Sequence, residues 1–279
     1  MTEILTAPAK INLCLLLGPA RADGRHELVT LFQSVGLSDT LTVSPSEHGR
    51  DEVLCEGVSG PNLVADALAG LRAAGWAAPP LRVQIDKRIP VAAGMGGGSA
   101  DAAAILRLAP ELAPIAGDRV LAVATGLGAD VPGQLRPGVS LGTGAGEILQ
   151  AVPAPAPHAV LVLPQDFGLA TPEVYREADR LGLGRSAAGL RAAQTAIAAG
   201  QGEGWLGVND LQPAALSLAP EIARALDAAR AAGAAHALVC GSGPTVIGLF
   251  PGEDAASRAG RAADALRDRW PRAVAVLPV

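Results

Sequence analysis

The chain has 279 residues, 49% hydrophobic and 18% charged, which is enough to bury one large core or two modest ones and too apolar for disorder. A net charge of −5, with no run of Lys and Arg interleaved with aromatics, leaves no basic groove for nucleic acid. No uninterrupted apolar stretch reaches 18 residues and the first residues lack a secretory pattern, so no membrane contact is expected. Cys14, Cys55 and Cys240 form no CxxC pair and lie among apolar neighbours. They read as reduced core thiols of a cytoplasmic protein rather than as zinc ligands.

Three β-rich runs come first, ILTAPAKINLCLLLG, ELVTLFQSVGL and DTLTVSP, and suggest an antiparallel layer. PNLVADALAGLRAAG follows as a helix, with Leu63, Ala67, Leu68 and Leu71 on one face and Gly75 at its end. LRVQIDKRIP returns to alternation, and VAAGMGGGSADAAAILRLA passes from a glycine loop into a helix beginning near Ser99. Another helix covers Asp118 to Thr125, closed by the turn GLGADVP. Alternating prolines in AVPAPAPHAV resist helix and central strand alike, which puts a boundary there and divides the chain into 1-155 and 156-279. Beyond it the pattern predicts a strand AVLVLP, helices at 171 to 181 and 186 to 199, and a helix pair across 210 to 232. Two strands joined by GSGP, a helix from 254 to 269 and a last strand AVAVLP complete an α+β chain.

The strongest chemical signal is Gly94-Met95-Gly96-Gly97-Gly98-Ser99, between a strand and a helix. One glycine suffices for a tight turn, whereas four in five positions let backbone N–H groups close on an anion at a helix N-terminus, and phosphate is the natural ligand. No Gly-Lys-Ser/Thr occurs in the chain, and at this loop the sixth position of a GxGxxG pattern is Ser99, so neither common nucleotide loop applies to it. Of the 22 basic residues only Lys10 and Lys87 are lysines. Strand alternation puts Lys10, Asn12 and Cys14 on one face, a reading shared with an ordinary solvated edge strand. Asp130, in a glycine-flanked turn, can bind Mg²⁺ or accept a proton, although taken alone ordinary turn chemistry accounts for it better. Cys240-Gly241-Ser242-Gly243-Pro244-Thr245 is either a close backbone approach to a ligand or a tight hairpin.

Taken in order, PAKINL, GMGGGSADAA, GADVP and GSGPTV resemble the GHMP kinase superfamily. With ADGRHEL added, the pattern is similar to the branch that phosphorylates diphosphocytidyl-methylerythritol. The resemblance runs from residue 7 to about residue 250 and implies a two-domain GHMP kinase fold. Its N-terminal domain would be like domain 2 of ribosomal protein S5 and its C-terminal domain ferredoxin-like. It further implies an ATP-dependent, Mg²⁺-assisted transfer to the 2-hydroxyl of that cytidyl alcohol, in the non-mevalonate route to isoprenoid precursors, by a monomer or homodimer. A mevalonate, homoserine or other sugar-alcohol kinase would share the glycine loop but not ADGRHEL, and a non-catalytic nucleotide-binding regulator would not need Lys10 and Asp130.

Carried over residue by residue, the resemblance makes Asp130 the base for the 2-hydroxyl and Lys10 its charge partner against developing negative charge. ATP would be held by Pro90, Ala92, Ala93, Gly94, Met95, Gly96, Gly97, Gly98, Ser99 and Ala100, with Ser99 also a candidate Mg²⁺ contact. Asn62 and Leu63 would flank the adenine, although an Asn before a helix is equally an N-cap. Asn12, Arg25, His26, Thr171 and Tyr175 would hold the cytidyl substrate, with His26 reading the cytosine edge. Arg25 stands where these kinases commonly carry an aromatic, so its guanidinium plane is expected to stack on the base instead. Gly133 and Gln134 replace the bulky apolar residues usual after GADVP, which loosens one wall.

Overall fold

The computed structural model describes residues 2–58 and 60–279. Two compact units are built from interleaved segments: Met1–Lys10, Leu37–Pro90 and Gly96–Pro137 form one, and Ile11–Gly36, Val91–Met95 and Gly138–Val279 the other. Strands β1 (Glu3–Ala20) and β2 (His26–Pro45) run through both.

In the first unit the end of β2 pairs antiparallel with β4 (Leu81–Asp86), Thr40 opposite Asp86 and Pro45 opposite Leu81, and β3 (Glu52–Cys55) adds parallel to β4. Along β4, Leu81, Val83 and Ile85 are buried while Arg82, Gln84 and Asp86 face solvent, the alternation of a half-covered sheet. The helices α1 (Leu63–Ala73), α2 (Gly97–Leu112), α3 (Gly117–Leu127) and α4 (Val131–Gln134) pack against one another. α1 starts where Asn62 Oδ1 accepts the Val64 N–H at 2.9 Å, and it buries Val64, Ala67, Leu68 and Leu71 as one stripe. At its other end Arg72 holds both carboxylate oxygens of Asp51 and lies 4.6 Å from the Trp76 ring centre.

In the second unit the beginning of β2 pairs with β5 (Val139–Thr143), and β5 with β6 (Ile148–Ala151). The rest runs β7 (His158–Leu163), α5 (Thr171–Leu181), α6 (Ala187–Ala198), α7 (Gln212–Leu218), α8 (Ile222–Ala231), β8 (His236–Val239), β9 (Val246–Pro251), α9 (Ala255–Leu266) and β10 (Val274–Val276). These four strands form an antiparallel sheet in the order β10-β7-β9-β8. First, second, third and fourth strands therefore stand 4-1-3-2, the ferredoxin-like arrangement. Leu161, Leu163, Val246 and Phe250 of the sheet share a core with Val174, Leu226 and Ala259 of the helices.

Several details differ from the sequence reading. ELVTLFQSVGL and DTLTVSP are one strand, β2, because extended pairing continues past Gly36 without a turn. α2 begins two residues before Ser99, since Gly96 takes the left-handed conformation (φ +68°) that launches it. Asp130 opens a single helical turn, α4, inside what reads as a loop. Cys14 and Cys240 are buried and outside any disulfide, whereas Cys55 is half-exposed at the end of β3. Among the described residues, no helix is long and apolar enough to cross a membrane.

Candidate active site

In the first unit Lys10, on β1, is 8% exposed, and its Nζ lies 3.3 Å from Asp130 Oδ2. The two sequence-predicted catalytic residues thus form one ion pair, joined over 120 residues of chain. Asp130 sits just ahead of α4 with its side chain turned to Lys10 instead of capping the helix. Gly96 borders the same pair: a Cβ there would stand 3.0 Å from Lys10 Cγ and 3.2 Å from Cε, so the loop needs glycine for close approach as well as for its positive φ.

Helix α2 then rises from Gly96 with no side-chain cap, its first intrahelical bond running from the Ala100 N–H to the Gly96 carbonyl. The N–H groups of its first turn and the positive end of its dipole are what a phosphate uses. A Cβ on Gly98 would lie 3.5 Å from Leu63 Cδ1, which places the adenine-side candidate Leu63 next to the loop. Gly97 stands over the second lysine, with Lys87 Nζ 3.2 Å from its Cβ position.

Lys87 pairs with two buried carboxylates. It donates to Asp39 and, at 2.8 Å, to Asp101 Oδ2, while Asp39 Oδ1 also accepts the N–H groups of Arg88 and Ile89. Burial pushes the Asp101 carboxyl up to about 7, with Lys87 pulling the other way, and the two carboxylates hold the Lys87 ammonium above its usual range against its own desolvation. Sequence reasoning singled out Lys87 for its rarity but missed Asp39 and Asp101. Nothing local marks Asp39, because its partner is 48 residues away.

The remaining candidates lie in the second unit. Residues 21–25 make a tight turn, closed by the Arg21 N–H on the Arg25 carbonyl at 2.7 Å, which delivers exposed Arg25 and buried His26 to the start of β2. His26 Nε2 is 2.7 Å from Asp179 Oδ1, and its ring centre is 5.5 Å from that of Tyr175, both residues being on α5. A carboxylate only accepts, so Nε2 is the donor in this bond. Asn12 is buried and fixed, its amide donating to Thr30 Oγ1 at 2.7 Å. Thr171 Oγ1 meets Ser242 Oγ at 2.9 Å, tying the start of α5 to the CGSGPT turn. That turn is anchored by Asn209, whose amide donates to the carbonyls of Val239 and Gly241. Asp179 and Asn209 had no sequence signal of their own.

The front of the glycine loop, Val91 to Met95, also belongs to this unit. A Cβ on Gly94 would collide with the Cys240 carbonyl, so loop and turn touch backbone to backbone. Ala93 and Met95 are buried while exposed Ala92 has φ +55°. Beyond the exposed Val91 and Ala92 side chains, what this stretch offers a ligand is main chain. Among the described residues no group of three or more His, Cys, Asp or Glu could hold a metal ion. Ser99 at the head of α2 offers one half-exposed hydroxyl, a hard oxygen of the kind Mg²⁺ accepts beside phosphate and water.

The chain is similar to known proteins over nearly all of its length. The families described as GHMP kinases N terminal domain and GHMP kinases C terminal match residues 62–144 and 187–269. A 4-diphosphocytidyl-2-C-methyl-D-erythritol kinase of Streptomyces avermitilis is 41% identical over 276 residues, covering 94% of this chain and 92% of the relative. The kinase of the same name from Rhodococcus jostii is 43% identical, covering 91% and 86%. A crystal structure of 4-(cytidine 5'-diphospho)-2C-methyl-D-erythritol kinase superposes with TM-score 0.77 at 36% identity, over 100% of this chain and 99% of that one. Homoserine kinase from Cytophaga hutchinsonii, TM-score 0.66 at 18% identity, shares the fold alone. The chain belongs to the GHMP kinases and, within them, to the 4-diphosphocytidyl-2-C-methyl-D-erythritol kinase family.

Proposed function

We propose that this chain transfers the γ-phosphoryl group of ATP to the 2-hydroxyl of 4-diphosphocytidyl-2-C-methyl-D-erythritol, a step in making isoprenoid precursors. The observation that carries the chemistry is the Lys10–Asp130 pair, 3.3 Å apart and bordered by Gly96 at the head of α2. Asp130 orients the alcohol and takes its proton as the O–P bond forms. Lys10 fixes that carboxylate and offsets the charge spreading over the transferred group. Phosphoryl transfer asks little covalent help, so the backbone N–H groups of residues 94–100 contribute by positioning the phosphates. Mg²⁺, held by those phosphates with Ser99 as a protein contact, would neutralise their charge.

For the cytidyl end, His26 reads the base edge through Nδ1, supported by its bond to Asp179, and Tyr175 and Arg25 supply stacking faces, with Asn12 and Thr171 as polar contacts. Asn62 and Leu63 take the adenine side. Segment 1-155 would act as the N-terminal family domain and 156-279 as the C-terminal one, in line with the separate family matches. A cytoplasmic monomer or homodimer completes the reading.

Turnover of the cytidyl alcohol with ATP and Mg²⁺, measured beside Lys10→Ala and Asp130→Ala, tests it. The wild type is expected to turn over and each variant to lose at least about 100-fold in kcat with its fold intact. A variant that keeps wild-type turnover removes its residue from the mechanism.

A further inference from the structure

We propose that Gln134 is a further catalytic residue, its side-chain amide donating beside Lys10 to an oxygen of the phosphoryl group in transfer. This rests on the kinase reading above. Gln134 is 2% exposed, and its Nε2 has no hydrogen-bond partner among the described residues. It closes the single turn of α4, one turn after Asp130, with its own N–H on the Asp130 carbonyl at 3.3 Å, so both side chains leave the same face. Arg107 holds its backbone, donating to the Gln134 carbonyl at 2.6 Å. The amide is thereby aimed at the loop: Nε2 lies 3.4 Å from the Cβ position of Gly96, the point that Lys10 Cγ and Cε approach at 3.0 and 3.2 Å.

A buried donor without an acceptor destabilises a fold, and an apolar side chain of the same length would fill this place at no such loss. The neighbours explain what the amide is for. The Lys10 ammonium, the N–H groups that open α2 without a side-chain cap and a carboxamide NH₂ stand near Gly96 with the Asp130 carboxylate as the charged acceptor among them, an excess of donors. Anionic oxygen meets that excess, and a transferring phosphoryl group spreads its charge over three such oxygens. The alcohol is the poorer partner, being neutral and already served by Asp130.

Gln134→Met, nearly isosteric and without polar hydrogens, tests the assignment. We expect kcat to fall about 100-fold while KM for ATP and for the alcohol stays within about threefold. Tm should hold or rise. Affinity for ADP with aluminium fluoride, which mimics the planar phosphoryl, should drop in parallel, with ADP alone bound as before. Gln134→Leu repeats the test if the first variant folds poorly. Wild-type kcat and fluoride-complex affinity in a folded variant would overturn the proposal, as would losses tracking a fall in Tm and in ADP binding. A wild type inert towards the cytidyl alcohol would instead defeat the proposed function, and the fluoride comparison would still decide whether Gln134 contacts the phosphoryl.

Discussion

At the scale of single residues, Gly96 is the position where backbone and side-chain demands coincide. Its φ of +68° strains any L side chain, and its Cβ position is 3.0 Å from Lys10 Cγ, so Gly96→Ala both bends the loop and displaces the lysine. Gly49 has the same φ with nothing within 4 Å of its Cβ position, which separates the two effects. Thermal unfolding of Gly49→Ala is expected to show a loss of about 1–2 kcal/mol from strain alone, with activity unchanged. Gly96→Ala should lose a similar stability and, in addition, at least tenfold in kcat. Equal activity in the two variants would show that the approach to Lys10 is unimportant. These residues were legible in sequence because lysine is so scarce and glycine so dense. Asp39, Asp101 and Asp179 were not, because each acts through a partner that only folding brings near, and Gln134 stood out only as a departure from the residues usual after GADVP.

Among the elements, α1 shows how one residue can carry two roles. Asn62 caps the helix through the Val64 N–H and is also the adenine-side candidate. Aspartate caps as well as asparagine but adds charge near a triphosphate. Asn62→Asp is therefore expected to keep Tm and raise KM for ATP, whereas Asn62→Ala should lose about 1 kcal/mol of stability. An Asn62→Asp protein with unchanged KM would leave Asn62 a cap only. The helices were read closely from their apolar spacing and caps, α5 from 171 to 181 included. β3, β5 and β6 were not predicted: each is four or five residues long, and exposed Leu54 and Ile148 break the in-out alternation that would have announced β3 and β6. β2 was split in two because Gly36 looks like punctuation, yet its neighbours stay extended and paired.

On the scale of the whole molecule, stability is tied to pH through the cluster of Lys87, Asp39 and Asp101. Burial raises the Asp101 carboxyl from 3.8 to about 7, so the folded chain prefers it protonated. That contribution is complete below the unfolded value and fades as pH rises through about 7. Asp101→Asn keeps a neutral side chain at every pH. Its Tm should change less than the wild type's between pH 5 and 8, and parallel profiles would mean that Asp101 stays ionised beside Lys87. The order of motifs along the chain disclosed the family and the ferredoxin-like half. Sequence did not disclose that two compact units share β1 and β2 and split the glycine loop at Met95 and Gly96, because long-range pairing leaves no periodic trace.

A single product analysis decides which alcohol this chain phosphorylates and at which oxygen. Purified protein is given ATP and Mg²⁺ with the cytidyl alcohol, mevalonate or homoserine, and phosphorus NMR reads which oxygen gains phosphate. One productive acceptor is expected, the cytidyl alcohol, with the new phosphomonoester on its 2-hydroxyl. Phosphate on mevalonate or homoserine, or on another oxygen of the cytidyl alcohol, would contradict the proposed function.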